Sequence, residues 1–266
     1  MEPRAISALE SAGAGMQNAG NSCYMAASLQ ALLRVPHVAQ LIWAEHGPCD
    51  EFVSILRGTL SKTFGIDEQK KPLTGEDTNE LRHIFEWLGW DKKDHEADAL
   101  TFIEFLLPIL NLTPFAVTRR AITKPLAPPS QHTLMHSIGY ANNTQTMQEF
   151  ISPYKLFSTC IPDLLPIAIG GRFSVSKEKN CTRITPSELL ELNLADAPSK
   201  KVAYQLVAIV VYIGEKMSGG HYVTFARKGH QWVEYNDSRV IQHQESHTLS
   251  QILETCGYIH IYSRLP

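Results

Sequence analysis

The segment YQLVAIVVYI, Tyr204 to Ile213, is apolar on both of its alternating faces. A strand with one wet face alternates apolar and polar residues, so this one has to be covered on both sides. The chain must therefore build a sheet with neighbours on either edge and lay other elements over each surface. Downstream, HYVTFAR, a Lys228-Gly229 break, HQWVEYN and a final CGYIHIYSR run supply those neighbours. The first half supplies helices. Met25, Leu29, Leu32 and Leu33 follow helical spacing after Asn21-Ser22, with Pro36 expected to close the segment. Phe52, Ile55, Leu56 and Leu60 form a second face, and Leu81, Ile84, Phe85 and Leu88 a third, behind a cap at Asp77 or Thr78. A fourth helix is expected from about Glu96 to Ile109. A helical lobe followed by a sheet lobe makes an α+β protein, whose chemistry is expected in the cleft between the two.

The boundaries follow from composition. A helical lobe runs to about 111 and a β lobe starts at about 161. Between them, 112–160 is rich in Pro, Thr, Ser, Asn and Gln, and its PLAPPS piece (Pro125 to Ser130) is expected to be a loop within an insertion. With 266 residues at 44% hydrophobic and 19% charged, the chain can bury a core. Its 24 basic and 27 acidic residues, without a dense basic run, argue against binding nucleic acid by phosphate neutralisation. The apolar stretches are too short for a bilayer span, and the start, MEPRAISALESAGAG, has no signal-peptide core. Five cysteines at irregular spacing, with no CxxC pair, make neither a disulfide framework nor a zinc site. A cytoplasmic, reducing compartment is expected, with no metal and no organic cofactor.

One of those cysteines is placed for chemistry. Cys23 stands at the start of the first helix, where unpaired N–H groups and the helix dipole favour a thiolate. Gly20 upstream permits a tight backbone approach that leaves N–H groups open to an oxyanion. The plainer alternative is a small buried hydrophobe, the usual state of a free cysteine. A base is available far downstream. If Lys228 and Gly229 form a two-residue hairpin loop, Arg227 faces His230 and His221 lies directly opposite Asn236, within reach of its amide. An amide so placed holds an imidazole in one orientation, the third-member role of a Cys-His-Asn triad. A four-residue loop keeps that register and a three-residue loop shifts it by one. His221 alone is one of 11 histidines, and Asn236-Asp237 alone is ordinary turn chemistry. The preceding Gly219-Gly220 makes sense where an extended peptide passes close to the histidine, and also as a flexible loop.

Taken together, NAGNSCYMAASLQALL and GGHYVTFARKGHQWVEYNDSRV resemble the cysteine and histidine boxes of the ubiquitin-specific proteases, a family of papain-like peptidases that remove ubiquitin from proteins. YQLVAIVVYIG, ITPSELLELNL and CGYIHIYS also resemble family segments, and EADALTFIEFLLPIL weakly resembles its QQDAxEFLxxLL helix. The resemblance runs from about Met16 to Arg264, with 112–160 unmatched, and implies that 1–15 are an N-terminal tail and 16–266 a single catalytic domain. It implies a papain-like fold with a helical thumb, a β-sheet palm and reduced fingers without zinc. It also implies that Cys23 is the nucleophile, His221 the base and later acid, and Asn236 the orienting residue, with Asp237 as a neighbour sharing that task. Asn18 would help bind the oxyanion. Asp98 would meet basic residues of the ubiquitin tail, and Gly219, Gly220 and Tyr222 would border the channel for its glycines. The implied partner is ubiquitin or a ubiquitinated protein. Glu96-Ala97 and Thr101 depart from the helix motif and keep SUMO or another ubiquitin-like modifier open. Tyr212 stands where the family often has histidine. A catalytically silent ubiquitin-binding module is the alternative of another class.

Overall fold

The computed structural model describes residues 13–43, 50–64, 71–91, 97–110, 112, 115–119, 130–132, 135–138, 145–152, 154–159, 161–170, 182–216 and 219–266. Helices come first in the chain: α1 (Cys23–Leu32), α2 (Pro36–Trp43), α3 (Asp50–Phe64), α4 (Gly75–Trp87) and α5 (Ala99–Ile109). Every residue of α1 after Cys23 is buried, so this helix is central rather than amphipathic. Pro36 does not close a segment as expected; it opens α2, at the first helical position, where a missing N–H costs nothing. The expected cap of the third helix also moves upstream. Thr74 caps α4, accepting from Asp77 N at 3.2 Å while Asp77 Oδ2 accepts from Thr74 N at 2.8 Å. Asp77 is thus the third helical residue of a capping box, and the box reads in sequence as T-x-x-D. Asp98 caps α5, which begins at Ala99; residues 92–96, with the expected start at Glu96, lie outside the described residues.

The remaining elements are β1 (Phe115–Arg119), β2 (Ser130–His132), β3 (Met135–Ile138), β4 (Gln145–Thr146), α6 (Met147–Ile151), β5 (Tyr154–Leu156), β6 (Leu164–Gly170), β7 (Ile184–Thr185), β8 (Leu189–Asn193), β9 (Lys201–Ile213), β10 (His221–Lys228), β11 (Gln231–Asn236), β12 (Arg239–His243), α7 (His247–Cys256) and β13 (Gly257–Arg264). Of the PLAPPS piece, Ser130 begins β2 and the rest lies outside the described residues. Among those residues the main sheet runs β12-β11-β10-β9-β13-β6-β3, with β8 paired to the first part of β9. Its pairings are antiparallel except β3 with β6.

As its sequence demands, β9 is covered on both faces. Ala208, Val210 and Tyr212 pack with Tyr24, Met25 and Leu29 of α1 in one core, while Ile209 and Val211 pack with Leu249 and Leu253 of α7 in another. The alternation breaks once. Tyr204 and Leu206 join the second core although Ala208 joins the first, because the register against β13 shifts between Ile261 and Tyr262, leaving Val207 as the extra residue of a bulge. One buried hydrogen bond stitches the lobes: Thr224 Oγ1 on β10 donates to Ala27 O in α1 at 2.6 Å. No helix among the described residues is long and apolar enough to cross a membrane.

Candidate active site

Cys23 is the first residue of α1, so its own N–H has no partner within the helix. The turn that delivers it is built around one side chain. Asn18 Oδ1 accepts from Gly20 N (2.9 Å), Ser22 N (3.3 Å) and Ser22 Oγ (3.0 Å), and Ser22 Oγ accepts from Ala19 N (2.9 Å). Gly20 and Asn21 both have positive φ, 85° and 49°. These bonds take up the N–H groups of Ala19, Gly20 and Ser22, so the N–H at Gly20 is not open to an oxyanion as expected; the Asn18 side chain instead fixes the turn ahead of the thiol. The Nδ2 of Asn18 donates to Asp237 Oδ2 at 3.2 Å, leaving its second amide hydrogen.

The histidine lies on the β10–β11 hairpin, in a register that differs from the expected one. Lys228 pairs with Gln231 and Arg227 with Trp232, so the loop is Gly229-His230 rather than Lys228-Gly229. Gly229, with φ 59°, takes the first central position, where a two-residue hairpin needs a residue that tolerates positive φ. The register moves by two residues, which is one full pleat. It therefore changes the expected direct opposition of His221 and Asn236 into a diagonal one but keeps both on one face. The diagonal is close enough: His221 Nε2 and Asn236 Oδ1 are 2.8 Å apart.

The Cys23 thiol stands close enough to His221 to act on its imidazole. With Nε2 engaged by Asn236, Nδ1 is the nitrogen left for the sulfur. That contact with Cys23 is the largest influence on the imidazole and, with Asn236 and the nearby Asp237, pushes its pKa up to about 9 against the opposing effect of burial. Because the folded value lies above the ordinary one of about 6.5, the stabilisation it represents is complete below about pH 6.5 and is lost as pH rises through about 9. An NMR titration of His221 should find a midpoint well above the ordinary value. In Cys23→Ala, which removes the leading cause, that midpoint should fall towards it. An unchanged midpoint in the variant would mean the sulfur and the ring do not interact.

The other expected site residues divide into two groups. Asp237, with φ 52°, reaches 3.9 Å from His221 Nε2, and its Oδ1 is buried with no hydrogen-bond partner. Its backbone carbonyl accepts from Met16 N at 2.9 Å, so the segment before Asn18 holds the turn after Asn236. Asp98 and Tyr222 form a neighbouring cluster. Asp98 Oδ1 accepts from Leu100 N at 2.6 Å and its Oδ2 from the Tyr258 hydroxyl at 3.0 Å. Burial raises the Asp98 carboxyl, with those two hydrogen bonds opposing the rise. Tyr222 is buried between Tyr212 and Tyr258, with ring centroids 4.9 and 6.4 Å away, and its hydroxyl meets the Ala99 backbone. Gly219 is exposed with φ 86°, while a Cβ on Gly220 would stand 2.1 Å from the Tyr212 ring. Gly220 therefore has a packing reason of its own: Tyr212 fills the space beside it, its hydroxyl fixed on Lys216 O at 2.5 Å.

Sequence reasoning missed Tyr258 and two residues on the far side of Asn236, Glu234 and His243. The sign of Glu234 was available, as a charge two places before Asn236 in a strand that is otherwise largely apolar. Among the described residues no group of three or more His, Cys, Asp or Glu could hold a metal, and Cys256 is a partly buried thiol 3.5 Å from Thr255 Oγ1; Cys49, Cys160 and Cys181 lie outside those residues.

A thiol at a helix start, an imidazole at the start of an interior strand and an amide on the neighbouring strand, assembled across two lobes, invite comparison with known proteins. The sequence model of the ubiquitin carboxyl-terminal hydrolase family matches residues 14–262. The chain belongs to that family. Ubiquitin carboxyl-terminal hydrolase 17-like protein B of Mus musculus is 22% identical over 94% of this chain and 63% of its own length. The 17-like protein E of the same organism is 21% identical over 93% and 55%. The chain thus spans roughly three-fifths of the length of these curated relatives. Among solved structures, the SAGA Ubp8/Sgf11/Sus1/Sgf73 DUB module bound to ubiquitin aldehyde superposes with a TM-score of 0.73 at 14% identity, over 96% of this chain and 70% of that one. An essential yeast splicing factor superposes at 0.67 with 18% identity, over 96% and 70%. The mixed helix and antiparallel sheet arrangement is therefore that of the family's catalytic domains, consistent with a papain-like fold.

Proposed function

We propose that the protein is a thiol-dependent deubiquitinase that hydrolyses the isopeptide bond after the C-terminal glycine of ubiquitin. The observation that supports this reading is the hydrogen bond of His221 to Asn236, with Cys23 the leading influence on the same imidazole, in a chain of this family. His221 takes the proton of Cys23, and the thiolate attacks the glycine carbonyl. The Cys23 N–H and the remaining amide hydrogen of Asn18 meet the oxyanion, with Asp237 holding Asn18 by its other hydrogen. His221 then protonates the departing lysine amine, Asn236 keeps its ring in place, and water opens the thioester. Gly219, Gly220 and Tyr222 would border the channel for the tail, and Asp98 would meet its basic residues. A reducing compartment such as the cytosol suits a free nucleophilic thiol.

The test is covalent capture. Ubiquitin carrying a C-terminal electrophile should add its mass to the protein at Cys23, and SUMO carrying the same group should not. Capture of SUMO alone would move the activity to another modifier. Tight binding of ubiquitin without capture would replace the enzyme with a silent binding module. That a splicing factor shares the fold makes this experiment necessary, since the fold alone does not carry the activity.

A further inference from the structure

The Asn236 amide has two ends of nearly equal size, and only one serves His221. The carbonyl must face Nε2 so that Nε2 keeps its proton and Nδ1 offers a lone pair to the thiol. For the neutral ring that takes the proton of the thiol, nothing in the His221–Asn236 contact alone enforces this, because a reversed amide would present N–H to a ring nitrogen that can exist in either tautomer. The second contact of Asn236 decides. Its Nδ2 lies 3.2 Å from Glu234 Oε1, and a carboxylate can only accept. Glu234 is held in turn, its Oε2 being 2.7 Å from His243 Nε2. The arrangement follows from strand geometry. Glu234 and Asn236 are two apart on β11 and share a face, and His243 opposes Trp232 on β12, diagonal to Glu234. The carboxylate is largely enclosed, with 15% of its side chain exposed, and the His243 ring packs beside Phe225 at 5.9 Å.

We propose that Glu234, braced by His243, is a positioning residue that fixes which end of the Asn236 amide faces His221. It also dictates that residue 236 be neutral. An aspartate there would set a second carboxylate against Glu234, and like charges so close disfavour each other's ionisation. This inference rests on the triad role given to Asn236 in the proposed function. It goes beyond that role by adding Glu234 and His243 as the structure behind it.

The experiment uses two readouts on the whole chain. One is the rate at which iodoacetamide alkylates Cys23, which needs no ubiquitin. The other is kcat and KM for ubiquitin bearing a fluorogenic C-terminal amide. Glu234→Ala should lower both the alkylation rate and kcat by about three- to tenfold, the effect of losing one hydrogen bond, and leave KM unchanged. Glu234→Gln should stay within about twofold, because its amide carbonyl accepts the same bond. Added to Asn236→Ala, Glu234→Ala should have no further effect. Asn236→Asp alone should lose about tenfold or more, and Asn236→Asp with Glu234→Gln should recover most of it, a rescue that a merely structural role does not produce. Unchanged rates in Glu234→Ala, additive losses with Asn236→Ala, or full activity in Asn236→Asp alone would overturn the inference. The expected alkylation pattern without any cleavage of ubiquitin would leave it standing and overturn the proposed substrate. Cleavage of ubiquitin with Glu234→Ala unaffected would do the reverse.

Discussion

Cys23→Ala should reduce hydrolysis of a ubiquitin amide by about four orders of magnitude or more, the scale seen when a catalytic nucleophile is deleted. It should cost little stability, because Cys23 is only partly buried and its helix is held by the buried residues that follow it. Ubiquitin should still bind, so KM-independent single-turnover measurements will separate loss of chemistry from loss of affinity. Residual cleavage near the parent rate would remove the sulfur from the reaction. The same variant also reports on His221, whose titration should shift downwards as its leading partner disappears.

The second large effect is expected far from the thiol in kind, though it acts on the same site. A Cβ on Gly15 would lie 2.5 Å from Asp237 O and from the carbonyl carbon and oxygen of Ser238. These are backbone atoms, so no rotamer change relieves the overlap. Gly15→Ala should therefore cost about 1–3 kcal/mol of stability. Its larger consequence should be catalytic, since the displaced turn carries Asp237 and adjoins Asn236. A drop in kcat of more than about tenfold is expected from a sub-ångström shift of an orienting group. Melting temperature and kcat measured together will check this. A variant that melts like the parent and turns over normally would show that the turn tolerates a wider approach. Gly220→Ala makes an informative companion, because its clash is with the Tyr212 side chain, which has somewhere to move only if its bond to Lys216 gives way.

Much of this architecture was legible in the residues, for identifiable reasons. The doubly apolar β9 foretold a sheet covered on both faces, because burial on two sides leaves no room for alternation. The pairing of His221 with Asn236 was foretold from the right hairpin with the wrong loop. The answer survived because an error of two residues preserves the face, whereas an error of one would have put the amide on the opposite side of the sheet. Helix ends were less legible. Pro36 suits the start of a helix as well as the break after one, and the capping box at Thr74 competes with two further cap-like residues, Asp77 and Thr78, in the next turn. Nor could spacing reveal that Tyr212 packs over Gly220, that Tyr258 reaches Asp98 across 160 positions, or that the segment at Gly15 and Met16 clasps the turn at Asp237. Those contacts depend on how the lobes close, which no local pattern encodes.

The hairpin that joins His221 to Asn236 is local, while the sulfur that completes the line comes from the helix stitched to β10 through Thr224 and Ala27. Translation runs from the amino end, so the ribosome releases Cys23 long before the strands that ready it. Until those strands are made and docked, the nascent thiol lacks His221 beside it. In the proposed mechanism, activation of the thiol thus waits on the part of the chain that is made last.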